Sequence, residues 1–168
     1  ATGACNGCEA LLRWMHPQQG MVPPGDFIPL AEMTEIIHPL SLWVIRAALC
    51  QVRSWMDQGL EIAVAINLSA RNLIDTRCPE QIQALLAEYQ VPNHLLEIEI
   101  TESCLHDNIA SVRSMITSLR NQGVSVSLDD FGTGYASLSQ LRTLPFDRIK
   151  IDRSFIREIN NGEASSKL

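Results

Sequence analysis

Apolar and polar residues alternate in four separate segments of the chain, at residues 61–68, 95–101, 124–130 and 147–152. Alternation with a period of two places successive side chains on opposite faces of an extended chain, so each segment is predicted to form a β-strand. The apolar faces consist of Ile62, Val64, Ile66 and Leu68; Leu96, Ile98 and Ile100; Val124, Val126 and Leu128; and Ile149 and Ile151.

Apolar residues three and four positions apart predict helices between these strands. Residues 27–58 are predicted to be mainly helical, with Pro39 dividing a short helix from a long one and Gly59 ending the second. Further helices are predicted at 79–89, 108–122 and 136–142. Residues 17–29 are rich in proline and glycine and are predicted to form a loop.

The alternation of strands and helices predicts parallel β/α units, and therefore an α/β fold. Strands of a parallel sheet normally have two apolar faces. Here the second face is small and polar in one strand after another, for example at Ser125, Ser127 and Asp129. A barrel interior that opens to a functional mouth at the carboxyl ends of the strands accounts for this pattern. An open, doubly wound sheet is the alternative.

Composition narrows the range of partners. The 168 residues contain 13 basic and 19 acidic side chains, which gives a net charge of −6. This balance argues against binding to a nucleic acid polymer or to an anionic membrane surface. The sequence also contains no apolar run long enough to enter a membrane and no recognisable signal peptide. Five cysteines without a regular spacing are expected to be reduced thiols in the cytoplasm.

Oxygen-bearing side chains stand at the carboxyl ends of three predicted strands, at Asn67, Glu99 and Asp129, and Glu9 adds a further carboxylate. Oxygen ligands of this kind suit a hard divalent cation. Each residue also has an ordinary interpretation. Asn67 could cap a turn, Glu99 could pair with Lys150, and Asp129 could begin the turn that leads to Gly132.

These residues lie in motifs that resemble those of the EAL domain family of cyclic di-GMP phosphodiesterases. The matching segments occur in the family's order between about residues 9 and 159. They are Glu9-Ala10-Leu11-Leu12-Arg13-Trp14, Asn67-Leu68-Ser69, Glu99-Ile100-Thr101-Glu102, Asp129-Asp130-Phe131-Gly132-Thr133-Gly134-Tyr135 and Lys150-Ile151-Asp152.

The resemblance implies a role for each matched residue. One metal ion, Mg²⁺ or Mn²⁺, would be held by Glu9, Asn67, Glu99 and Asp129, and a second by Asp129 and Asp130. The resemblance also implies that Lys150 acts near the attacking water and phosphate. Arg13 is expected to contact phosphate, since it shares the strand parity of Glu9. The same resemblance implies that Glu102 holds the loop beginning at Phe131 and that Asp152 supports Lys150.

The resemblance further implies a TIM-barrel-like fold and hydrolysis of cyclic di-GMP to the linear dinucleotide by two metal ions. A non-catalytic cyclic di-GMP receptor or protein-interaction module is the alternative. We expect residues 9–159 to form about strands two to six of the barrel, residues 1–8 to be a non-native leader and residues 160–168 to be a polar tail. An unclosed barrel would expose strand edges, which favour homo-oligomers. The resemblance also implies a further metal-ligand glutamate that is absent from this sequence, so turnover by this chain is expected to be slow.

Overall fold

The computed structural model describes residues 5–105, 109–133 and 141–154. The strands are β1 (Gly7–Ala10), β2 (Trp14–His16), β3 (Gly20–Val22), β4 (Ala63–Asn67), β5 (Leu96–Thr101), β6 (Ser125–Phe131) and β7 (Arg148–Ile151). The α-helices are α1 (Pro24–Glu32), α2 (Ile37–Met56), α3 (Ala70–Ile74), α4 (Cys78–Glu88) and α5 (Ile109–Asn121). Short 3₁₀ helices at Asn93–Leu95 and Glu102–Leu105 flank β5.

Five strands form one parallel sheet in the order β1-β4-β5-β6-β7, and β2 and β3 form a separate antiparallel hairpin. The described connections from β1 to β4, from β4 to β5 and from β5 to β6 each contain helices, as parallel pairing requires. All carboxyl ends therefore lie at one edge of the sheet. The predicted α/β fold with parallel strands is confirmed.

The core lies between the sheet and its helices. The apolar faces of the three inner strands are almost fully buried: Val64, Ile66, Leu96, Ile98, Ile100, Val126 and Leu128 are each at most 3% exposed. They join one cluster with helix side chains such as Leu49 of α2, Ile82 of α4 and Ile116 of α5. On β7, at the edge of the described sheet, Ile149 and Ile151 are 45% and 52% exposed.

The segment before β4 differs from its prediction. The predicted loop at 17–29 contains β3 and the start of α1, where Pro24 occupies the first turn. The break between the two helices falls at 33–36, and Pro39 lies inside the first turn of α2. A proline is tolerated there because the first backbone N–H groups of a helix have no acceptor within the helix.

Two predicted elements lie wholly or mainly outside the described residues. They are the polar tail at 160–168 and most of the helix at 136–142.

Among the described residues, no helix combines the length and apolar character needed to cross a lipid bilayer.

Candidate metal centre

Three carboxylates converge at the carboxyl edge of the parallel sheet. Glu9 comes from β1, Glu99 from β5 and Asp129 from β6, and one oxygen of each lies within 4.8 Å of the others. The strand register explains this meeting, because Asn67 is paired with Glu99 and Thr101 with Asp129. Carboxylate oxygens at this spacing are suited to sharing one hard divalent cation.

Asn67 lies beside the carboxylates at the end of β4, the strand between β1 and β5. Its amide Nδ2 donates a hydrogen bond of 2.8 Å to Oε1 of Glu9. The side chain of Asn67 therefore orients Glu9 and leaves its own carbonyl oxygen as a further hard donor.

Glu99 is the most enclosed of these carboxylates and is only 1% exposed. Its Oε1 accepts a hydrogen bond from Lys150 Nζ, so the pairing with lysine that the sequence left open occurs in this structure. Burial raises the pKa of Glu99, against the opposing effect of Lys150. Its other oxygen, Oε2, is buried and has no hydrogen-bond partner among the described residues. A buried carboxylate oxygen of this kind fits a cation ligand.

Lys150 supplies the positive charge of the centre. Its Nζ also lies 3.9 Å from Oδ2 of Asp129. Burial disfavours the charge, but the hydrogen bond to Glu99 and the charges of Glu99, Asp129 and Glu9 outweigh it and raise the pKa of Lys150. The amine therefore stays protonated while it contacts this group of carboxylates.

Asp130 reaches the same neighbourhood through an irregular backbone. The pairing of β6 with β7 shifts between Leu128 and Phe131, and Asp130 has a positive φ of 55°. Burial, followed by the charges of Asp129, Asp152 and Glu9, raises the pKa of Asp130. Its carboxylate stands apart from the group of three that lies within 4.8 Å. Strand parity alone would have placed Asp130 on the face opposite Asp129.

Arg13 lies in the loop beyond β1, which ends at Ala10. The parity argument that linked Arg13 to Glu9 is therefore wrong, because the extended strand does not continue to residue 13. The guanidinium of Arg13 donates a hydrogen bond of 2.8 Å to the carbonyl oxygen of Leu12. The side chain lines a cavity next to the metal centre.

This cavity has a volume of about 360 Å³ and includes Asn67 in its wall. Its other charged or hydroxyl-bearing residues are Arg13, Glu32, Ser41, Ser69, Thr101 and Ser103. Glu32 and Ser103 were not identified from the sequence, because neither stands at the end of an alternating segment. Glu32 ends α1, and this helix begins in the segment that was predicted to be a loop.

Asp152 follows β7 and makes local contacts. Its Oδ1 accepts a hydrogen bond of 2.8 Å from the backbone N–H of Ser154, and a second from the Ser154 hydroxyl. These bonds lower the pKa of Asp152. The backbone and the charge of Arg153 act on the pKa of this carboxylate in the same direction. The role of Asp152 in supporting Lys150 stays a prediction.

Glu102 joins the 3₁₀ helix after β5 to the loop after β6. It is 2% exposed, and its Oε2 accepts a hydrogen bond of 2.9 Å from the backbone N–H of Gly132. Gly132 has a φ of 103°, which favours glycine at the start of this loop. The contact is the one expected if Glu102 holds the loop that begins at Phe131.

Replacing Glu102 with alanine is expected to loosen this loop. A hydrogen bond to a charged group contributes about 1.5–3 kcal/mol, so the Gly132 amide should exchange at least about tenfold faster in Glu102→Ala. Glu102→Gln keeps a hydrogen-bond acceptor, so its Gly132 amide should exchange at a rate between those of the wild type and Glu102→Ala. Hydrogen exchange followed by NMR measures the effect, and unchanged exchange in Glu102→Ala would contradict the assignment.

Known proteins that match this chain belong to the same family as the one its motifs resemble. A family model described as the EAL domain matches residues 1–168. The chain is 43% identical over 158 residues to a cyclic di-GMP phosphodiesterase of Pseudomonas aeruginosa, covering 94% of this chain and 27% of that protein. It is 42% identical over 166 residues to the cyclic di-GMP phosphodiesterase PdeR of Escherichia coli, covering 99% and 25%. The chain thus spans about a quarter of the length of these curated relatives.

Solved structures show the same fold. PaMucR phosphodiesterase in complex with c-di-GMP superimposes with a TM-score of 0.86 at 39% identity, covering 95% of this chain and 66% of that one. The EAL enzyme Bd1971, bound to cAMP and cyclic di-GMP, gives 0.83 at 32% identity, covering 93% and 44%. The predicted TIM-barrel-like architecture, represented here by part of the domain, is confirmed. On the match of the family model and of these relatives, the chain belongs to the EAL domain family.

Proposed function

We propose that the protein carrying this chain hydrolyses cyclic di-GMP to the linear dinucleotide with the help of divalent metal ions. The observation that carries this proposal is the convergence of Glu9, Glu99 and Asp129 within 4.8 Å, with Lys150 against Glu99. Relatives that share 42–43% of its residues are named cyclic di-GMP phosphodiesterases. An anionic diester needs both positive charge and an activated water, and this set of residues can organise both.

The residues of this chain fit Mg²⁺ or Mn²⁺. Glu9, Asn67, Glu99 and Asp129 would hold one ion, and Asp129 and Asp130 would hold the second. All offer hard oxygen donors, and the buried Oε2 of Glu99 is free of any hydrogen-bond partner among the described residues. When bound, the ions lower the pKa of a water molecule and neutralise charge on the phosphoryl oxygens.

Two of the remaining residues would contact the substrate, and two would shape the loops around it. Lys150 keeps its proton on Nζ and presents a positive charge to the phosphate, which stabilises the negative charge that develops on the phosphoryl oxygens during attack. Arg13, in the wall of the adjoining cavity, is suited to the second phosphate of the cyclic dinucleotide because its guanidinium can donate two parallel hydrogen bonds. Glu102 fixes the loop at Gly132 beside the metal ligands. Asp152 shapes the turn after β7 and adds negative charge near Asp130.

The test is chromatographic detection of the linear dinucleotide after incubating the protein that carries this chain with cyclic di-GMP and Mn²⁺. Product should form with Mn²⁺ and disappear with a chelator. Lys150→Met should lower kcat by at least about a hundredfold, since removing one electrostatic stabiliser of a transition state costs this much. The same protein with Arg120→Met, which removes an arginine from the remote Asp147 ion pair, serves as the matched control.

Binding of cyclic di-GMP without any product would replace the enzyme with the alternative, a cyclic di-GMP receptor. Failure to bind the dinucleotide at all would reject both functions.

A further inference from the structure

A second pair of opposite charges lies one layer behind the metal centre, on the same face of the sheet. Arg148 of β7 donates a hydrogen bond of 2.6 Å from Nη1 to Oε2 of Glu97 on β5. The Glu97 side chain is only 11% exposed, whereas that of Arg148 is 65% exposed. Two residues further along each strand, Lys150 makes the corresponding contact with Glu99. The two pairs therefore form adjacent layers.

Both pairs reach across β6, which separates β5 from β7. Strands two places apart are about 10 Å from one another, so only long side chains can meet over the strand between them. Ser127 lies on β6, between the strands that carry these pairs, and is fully buried. Its small side chain leaves room for the long side chains to meet over β6.

The strand register alone would predict a different pairing of these charges. Ser127 is the direct partner of Glu99 on β5 and also the direct partner of Arg148 on β7. Arg148 therefore stands level with Glu99 across the sheet. It nevertheless pairs with Glu97, one layer back, and Glu99 is left to Lys150.

An arginine that reached Glu99 would interfere with the centre. The guanidinium is permanently charged and matches a carboxylate with two parallel hydrogen bonds. It would occupy both oxygens of Glu99, including Oε2, which has no hydrogen-bond partner among the described residues. It would also displace Lys150 and oppose a cation by charge repulsion.

We propose that Glu97 is a positioning residue that holds Arg148 away from Glu99 and so keeps this carboxylate available to a divalent cation and to Lys150. The inference rests on the proposed function, because it assigns Glu97 a task in the same centre. Glu97 acts through Arg148 and does not itself contact the ion.

Mn²⁺ affinity, measured by titration calorimetry on this chain and three variants, tests the proposal. Glu97→Gln should weaken binding by about tenfold or more, since the freed guanidinium competes as a close charge partner of Glu99. Glu97→Gln combined with Arg148→Met should recover affinity to within about threefold of the wild type, a difference of less than 1 kcal/mol. Arg120→Met, which removes the arginine of the exposed Asp147 pair, should leave affinity unchanged and controls for loss of an ion pair in general.

Crystal structures of the metal-free variants supply a second measurement that does not depend on metal binding. In Glu97→Gln, the Arg148 guanidinium should contact Glu99 in place of Lys150. If Arg148 stays away from Glu99, or if the double variant binds Mn²⁺ as weakly as Glu97→Gln, the proposal is overturned. If no variant and no wild-type protein binds Mn²⁺, but Arg148 moves to Glu99, the metal function fails and the positioning role of Glu97 stands.

Discussion

Glutamine in place of Glu99 is expected to abolish most Mn²⁺ binding by this chain. The substitution preserves size but removes the negative charge of a side chain that is 1% exposed and paired with Lys150. Loss of a residue that only supports a ligand costs about 10–100-fold in metal affinity, so the loss of a direct ligand should exceed about a hundredfold. Asp129→Asn should act in the same direction, because Asp129 is proposed to bridge both ions.

Titration calorimetry with MnCl₂ measures this effect. Glu61→Gln is a suitable control, because Glu61 is an exposed glutamate before the start of β4 and away from the carboxyl edge of the sheet. Equal affinities of the wild type and Glu99→Gln would remove Glu99 from the metal centre and with it the main support for the proposed function.

Alanine in place of Ile98 is expected to lower the free energy of unfolding by about 2–5 kcal/mol. Ile98 is fully buried on β5, the middle strand of the parallel sheet, and its side chain belongs to the central cluster. Truncation removes buried apolar contacts and leaves a cavity, because β4, β6 and the helices that cover the core restrict collapse around Ile98.

Chemical denaturation followed by circular dichroism measures this loss. Ile98→Val removes a single methylene and should cost only about 0.5–1.5 kcal/mol, so the pair of variants separates cavity size from a general intolerance of the position. Equal stability of Ile98→Ala and the wild type would show that β5 is not the packed centre of the fold.

The sequence predicts the parallel sheet well, because regular alternation is a direct consequence of strand geometry. The prediction of a strand at 95–101 differs from β5 by one residue, and its predicted apolar face belongs to the hydrophobic core. Helix α5 was likewise expected at 108–122 and is observed at Ile109–Asn121. In α5 the buried residues Val112, Met115, Ile116 and Leu119 recur three or four positions apart, so a single apolar face packs into the core.

The missed features are short or depend on distant contacts. Strands β2 and β3 have three residues each, which is too short for alternation to be recognised. Helix α3 has five residues and is linked to α2 by the hydrogen bond between Ser41 and Asn72. Such elements are stabilised by tertiary packing more than by local preference.

The residues that meet at the metal centre were predicted better than their ion pairs. The three carboxylates that meet were all anticipated, since strand ends of a parallel sheet share one edge. The pairing of Glu99 with Lys150 was only one of the open alternatives, and the pairing of Glu97 with Arg148 was not predicted, because Arg148 and Lys150 have the same parity. That choice depends on register across two strand pairs, which only the folded structure defines.

The positive φ of Asp130 restricts how this position can change over evolutionary time. Asparagine and aspartate adopt this backbone conformation more readily than other residues with a side chain, and glycine adopts it freely. A lineage that abandoned catalysis but kept the fold would therefore drift from Asp130 to asparagine or glycine before it reached a branched residue. The backbone thus limits which side chains could replace Asp130 if the proposed phosphodiesterase activity were lost.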